Sequence, residues 1–277
     1  MILLAACRKF AAFRDHSHVR NRSRVAMRLF ASIFASVLLC ASIAAAKQPD
    51  IVEPGLHIAP GGAAGPRVAL TFDACMGKTD TRILSMLIEN RVPATIFVTG
   101  RWLKHNQPVL AELKAHPDLF EIQNHGAMHV PAVDRAMKIY GIAAAGSPQA
   151  VAKEVEGGAA AIRAAGIEPR WFRGSTARYS RSAIAQIRGL GFRIAGYSVN
   201  GDGGSLLGVK ASEKRIAAAR DGDVVIAHIN QPTHAAGAGV VKGILDLKAK
   251  GYSFVKLSDV QAEGSDGTTV ASGNSGT

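Results

Sequence analysis

Cysteine is scarce in this chain: three occur in 277 residues, at Cys7, Cys40 and Cys75. The first two fall in an N-terminal leader, so the remainder keeps one thiol, which excludes an internal disulfide framework. Stability must then come from a hydrophobic core. The apolar stretch Leu29 to Ala41 is shorter than the roughly 20 residues a spanning helix needs. Internal repeats are absent. A hydrophobic content of 48% with 19% charged residues excludes a disordered or collagen-like chain. The net charge of +12 first suggests a nucleic-acid partner. Seven Arg or Lys residues and one Asp in residues 1–46 carry half of that charge, and the ordinary surface left over gives no nucleic acid to bind.

The leader has the order of a secretory signal peptide: basic residues ending at Arg28, an apolar run, then Ala44-Ala45-Ala46 before Lys47. Cleavage is expected near Ala46, which sends the protein to the periplasm or outside the cell and leaves no stable membrane span. Met27 opens a compact version of this signal, and translation is expected to start there. An uncleaved anchor is the alternative. Residues 47–66, rich in Pro and Gly, read as a linker, and residues 261–277 as a disordered tail.

Between them, short apolar runs alternate with helical periodicity. Val68 to Phe72, Ala94 to Thr99, Phe120 to Gln123, Trp171-Phe172, Phe192 to Val199, Val224 to Ala227 and Ser253 to Leu257 read as seven strands. Helices separate them; Ser147-Pro148, for example, is an N-cap and first-turn pair for a helix carrying Val151, Val155 and Ile162. The alternation predicts one α/β domain, residues 67–260, with a mainly parallel sheet, open or closed into a barrel.

The polar residues most out of place lie just after strands: Asp73, His125, His129, Arg173, Asp202 and His228. C-terminal strand ends share one rim in parallel α/β architectures, and active sites lie there. His125 and His129, at i and i+4, are expected on one side of a helical turn, a spacing that suits zinc or a similar divalent ion. Asn200 to Gly204 is Gly-rich but lacks phosphate-binding spacing and reads as a flexible active-site loop. His234 either contacts substrate or faces solvent. Trp102 and Trp171 are core residues or sugar-stacking platforms.

These segments resemble the polysaccharide deacetylases of carbohydrate esterase family 4, the NodB-homology domain. The resemblance covers residues 66–260 and runs through Thr71-Phe72-Asp73, Glu121 to His129, Phe172-Arg173-Gly174, Gly191 to Arg193 with Tyr197 to Val199, and Gly222 to His228. It implies a distorted (β/α) barrel of seven strands and a hydrolase that removes N- or O-acetyl groups from a polysaccharide. It further implies Asp73 as general base and Arg173 as its orienting partner. His228 would be the general acid, with Asp202 beside it. His125 and His129 would be ligands of a divalent metal, zinc by preference.

The chain departs from the family at several points. The family has a second aspartate, a metal ligand, where this chain has Ala74. Asp73 could serve instead, Cys75 could supply a thiolate, or the protein could work with little or no metal. Gly126 stands where the family has Ser or Thr, and Gly174-Ser175-Thr176 replaces a proline-containing loop. A backbone N–H at the position of Thr176 binds the oxyanion in the family. Two alternatives stay open: a metal-independent C–N amidohydrolase on the same fold, and a pseudo-enzyme that binds glycans without turnover.

Overall fold

The computed structural model describes residues 51–264. Two short strands open it, β1 (Ile51–Val52) and β2 (Leu56–Ile58). Then follow β3 (Arg67–Ala74), α1 (Thr81–Glu89), β4 (Ala94–Val98), α2 (Gly100–His105), α3 (Gln107–Ala115) and β5 (Phe120–Asn124). A hairpin, β6 (Lys138–Ile139) and β7 (Ile142–Ala143), precedes the long α4 (Pro148–Arg163), β8 (Trp171–Phe172) and β9 (Tyr179–Ser180). The chain continues through α5 (Arg181–Gly189), β10 (Arg193–Ile194), β11 (Val199–Asn200), α6 (Val209–Ala217) and β12 (Val224–His228). It closes with α7 (Ala236–Ala249), β13 (Ser253–Val255) and β14 (Ala262–Gly264). Helix α4 starts as the sequence predicts: the Ser147 side chain accepts from the Ala150 N–H and Pro148 occupies the first turn.

The main sheet runs β10-β8-β5-β4-β3-β12-β11, all neighbours parallel, and β13 pairs with the first half of β3. This is the expected distorted (β/α) barrel. Side-chain alternation sorts β3 into two faces. Val68, Leu70, Phe72 and Ala74 join the core beneath the helices with Ile83, Leu87, Trp102, Val240 and Ile244. Thr71 and Asp73, in the opposite register, look into the barrel.

The run Phe192 to Val199, read as one strand, is two. Strand β10 lies on one edge of the sheet and β11 on the other. Ala195 N–H still donates to Phe172 O, whereas Ser198 N–H donates to Val224 O. Five steps from Ile194 to Val199 span at most about 18 Å, so the sheet must curl until its edges approach. Residues 195–198 are the seam. Backbone from the N-terminal segment crosses it, with Tyr197 N–H bonded to Pro54 O and Leu56 N–H to Tyr197 O, both 3.3 Å. A Cβ on Gly196 would lie 2.1 Å from Pro54 O. Gly196→Ala is therefore expected to force the seam apart, costing about 1–3 kcal/mol by overpacking. That corresponds to roughly 2–12 °C in Tm for a domain of this size, readable by thermal unfolding; an unchanged Tm would show that the crossing is not tight.

Two boundary expectations are corrected. Residues 51–58 are not linker: β1 pairs antiparallel with β9, β2 with β14, and Leu56 and Ile58 are buried with Ala69, Trp171, Val224 and Leu257. A three-residue strand among prolines and glycines has too little pattern to read. For the same reason the domain extends past 260, through Ala262 in the same cluster. The leader, its cleavage point and residues 265–277 lie outside the described residues. Among the described residues no helix is long and apolar enough to cross a membrane.

Candidate active site and metal centre

All six rim residues predicted from the sequence converge at the C-terminal ends of β3, β5, β8, β11 and β12. Asp73 and His228 are direct neighbours across the β3–β12 ladder. Both line a cleft of about 470 Å³ together with His129, Thr176 and Asn200.

Arg173 organises the floor. It is fully buried, and every nitrogen of its guanidinium has an acceptor. Nη1 donates to Thr71 Oγ1 (2.8 Å) and Asp73 Oδ1 (3.1 Å), Nη2 to Gly196 O (2.9 Å) and Nε to Ala195 O (3.2 Å). Its Cζ lies over the Phe97 ring, 4.4 Å from the centroid. The cation thus ties Asp73 to the seam of the barrel. Burial alone would raise the Asp73 pKa, but the charges of His125, Arg173 and His228 outweigh it and hold the carboxyl below its ordinary value. Asp73 stays ionised, and its Oδ2 is free of Arg173.

The acid side is built the same way. Asp202, itself buried, accepts from His228 N–H at 2.6 Å and faces His228 Nδ1 with both oxygens at 3.1 Å. The loop that presents it is fixed by Gly204 N–H to Asp202 Oδ1 (3.1 Å) and Gly203 N–H to Asn200 Oδ1 (2.8 Å), with both glycines at positive φ. The imidazole is 18% exposed, at the cleft wall. Burial pulls its pKa down, yet the Asp202 carboxylate and then Cys75 raise it well above the usual histidine value. With Nδ1 committed to Asp202, Nε2 is the nitrogen left to work.

The His125–His129 segment corrects the expected helical turn. Both histidines lie on the loop after β5, which Gly126 (φ +90°) and His129 (φ +65°) bend back on itself. A buried carboxylate absent from the sequence reading, Glu154, holds that loop, accepting from Met128 N–H and Val130 N–H at 3.0 Å. Gly126 leaves it room, since a Cβ there would lie 2.4 Å from Glu154 Oε1. The signal was available: Glu154 sits on the apolar face of α4 beside Val151 and Val155. Asn124 adds a second clamp, donating to Val155 O and accepting from Gly126 N–H, both at 2.8 Å.

The loop brings the two imidazole centroids within 5.1 Å. His125 Nδ1 donates to Arg173 O at 2.6 Å, so its Nε2 presents a lone pair. That nitrogen lies 3.5 Å from Cys75 Sγ and 3.7 Å from Asp73 Oδ2. Ring nitrogens of His125 and His129 and the sulfur of Cys75 all fall within 4.8 Å of one another, a donor set able to hold a metal ion. Burial lowers the His125 pKa while Asp73 and Cys75 raise it, with a net upward shift. Burial raises the Cys75 thiol, and its histidine neighbours, His125 foremost, bring it well below the ordinary thiol value.

Around the mouth, Ser175 Oγ lies 3.3 Å from His129 Nδ1, and Thr176 (φ +68°) and Ala177 (φ +52°) form a left-handed pair. Glu53 from the N-terminal segment bonds Tyr197 Oη and Arg178, whose guanidinium lies 4.7 Å from the Tyr140 ring centroid. Sequence reasoning missed Thr71, Glu53 and Ser175, which are chemically unremarkable until the barrel brings them together. Trp102 and Trp171 are buried in the core and do not reach the cleft. His234 Nδ1 donates to Ser205 O at 2.8 Å, bracing the loop after Asp202.

The polysaccharide deacetylase family model matches residues 61–195. No curated protein matches the chain. Solved structures with the same fold include a family 4 carbohydrate esterase from Streptomyces lividans in complex with acetate. It is 20% identical at TM-score 0.55, over 69% of this chain and 92% of that one. An acetyl xylan esterase from Clostridium thermocellum with a cobalt ion is 25% identical at TM-score 0.56, over 69% and 88%. A CE4 family pseudoenzyme from Bacillus anthracis is 21% identical at TM-score 0.58, over 74% and 67%. The matched segment carries β3 through β10 and, on them, Asp73, His125, His129 and Arg173, so over that segment the described domain is similar to the polysaccharide deacetylases.

Proposed function

We propose that the protein is an exported hydrolase that removes N- or O-acetyl groups from a polysaccharide, with a divalent metal, zinc by preference, held at His125 and His129. One observation carries the reading. A base clamped by a cation and an acid clamped by a carboxylate face the same cleft from adjacent strands, an arrangement that glycan binding alone does not need.

The metal, when bound, supplies polarisation of the acetyl carbonyl and of the attacking water. The chain's own groups do the proton work. Asp73 Oδ2 takes a proton from water while Arg173 fixes Oδ1. The resulting hydroxide oxygen bonds to the acetyl carbon, the bond from that carbon to the sugar nitrogen or oxygen breaks, and His228 Nε2 gives its proton to the leaving atom. Acetic acid is formed, which ionises to acetate in water, and the proton on Asp73 balances the one lost by His228. Asp202 keeps His228 oriented and charged until that transfer.

Acetate release from a panel of acetylated glycans, using metal-stripped protein with and without zinc, tests the proposal. Zinc-dependent release is the expected result. Release unaffected by zinc would favour the metal-independent amidohydrolase. No release, with glycan retention that survives Asp73→Asn, would make the protein a binding module. The pH profile adds a check. His228 must be protonated to act, so activity should persist above the usual histidine range and fall only as pH rises through its raised pKa. Asp202→Asn should pull that alkaline limb to lower pH; an unmoved limb would remove His228 from the acid role.

A further inference from the structure

We infer that Cys75 is the third protein donor of the metal site, so that this chain binds its metal through a Cys–His–His set. The inference rests on the metal-holding reading above and concerns how this chain supplies what Ala74 cannot.

Strand register narrows the candidates. The Ala74 side chain is fully buried in the core under the helices, on the face of β3 away from the barrel. In this chain Cys75, two residues after Asp73 and just past the end of β3, brings its sulfur to the histidines on the barrel side. Asp73 is already bonded to Arg173 through Oδ1. The Cys75 sulfur faces His125, His129 and His228 and is not engaged by Arg173. The Cys75 carbonyl accepts from Thr99 Oγ1 at 2.5 Å, which fixes the backbone, and the residue is buried.

The sulfur–nitrogen distance is compatible with a shared metal. Zn–S of about 2.3 Å and Zn–N of about 2.0–2.1 Å at a tetrahedral angle give a sulfur–nitrogen edge of about 3.5–3.6 Å. Sγ to His125 Nε2 is 3.5 Å. The tautomer agrees as well, because the Arg173 carbonyl takes the Nδ1 proton of His125 and leaves Nε2 to coordinate. A thiolate carries the same single charge as the absent carboxylate, so the charge of the site is kept while its softness changes. Such a set selects zinc or cobalt over magnesium, calcium and manganese. It also leaves Asp73 Oδ2 available as a base.

The test is spectroscopic and independent of turnover. Cobalt(II) is added to the full-length chain carrying Cys7→Ser and Cys40→Ser, which leaves Cys75 as its only thiol. The expected result is visible bands of tetrahedral cobalt together with a thiolate-to-cobalt charge-transfer band in the near ultraviolet. Further replacement Cys75→Ser should abolish the charge-transfer band. Zinc affinity should also weaken about 100-fold or more, since loss of even an outer partner costs 10–100-fold. Cobalt bands without charge transfer in the Cys75-containing protein would overturn the inference while leaving a histidine-held metal intact. No cobalt or zinc binding at all would overturn both this inference and the metal part of the proposed function; acetate release without metal would separate that case from loss of the hydrolase reading. Because the decisive spectrum is that of the protein retaining Cys75, misfolding of the serine variant cannot hide the answer.

Discussion

Arg173→Met is expected to destabilise the protein by about 3–5 kcal/mol, the usual cost of removing one member of a buried ion pair. Asp73 would be left charged at 4% exposure without its cation. Two seam carbonyls, Ala195 O and Gly196 O, would lose their donors. Domains of this kind are stable by only about 5–15 kcal/mol, so the variant should unfold roughly 6–20 °C earlier. Lysine should rescue little, because a single ammonium cannot reach Thr71, Asp73, Ala195 and Gly196 at once. Urea unfolding measures the effect. A loss under about 1 kcal/mol would mean that water replaces the guanidinium, contrary to its complete burial.

Asp73→Asn has the larger effect on chemistry. An amide still accepts from Arg173 Nη1 but cannot take a proton from water. A fall in kcat of about 10²–10⁴ is expected, the usual contribution of a positioned base, with KM changed little because the amide keeps the shape of the site. Steady-state acetate release on the best glycan of the panel decides it. Turnover within about tenfold of the parent would assign the base elsewhere, since general-base loss costs at least 10². The variant also separates the two roles of this carboxylate. Loss of charge strands the Arg173 cation, so some stability should go with the activity, and the two losses can be read independently by unfolding and by rate.

Most of the frame and all six rim residues were legible because each rests on a local signal. Strands β3, β4 and β12 are runs of buried apolar residues, and a charged residue immediately after such a run has one place to go. The seam was not legible: Phe192 to Val199 is continuously strand-like, and only long-range pairing reveals that its halves serve opposite edges. The histidine spacing was correctly singled out but assigned the wrong backbone, because i, i+4 proximity arises from a helix or from a loop folded by Gly126 and Glu154. Ala74 and Cys75 were read by position in a motif, whereas the pleat decides which of the two faces the barrel.

The seam has a further consequence, for the order in which competence is acquired. Arg173 meets Thr71 and Asp73 across 102 and 100 residues of chain, and Asp202 meets His228 across 26. Contacts so distant in sequence form slowly and late, after local helices and hairpins. A growing or partly folded chain that has already made β3 therefore owns its base but lacks the cation that aligns it and the acid that completes it. The complete acid–base pair needs residues 195–228 in place against β3.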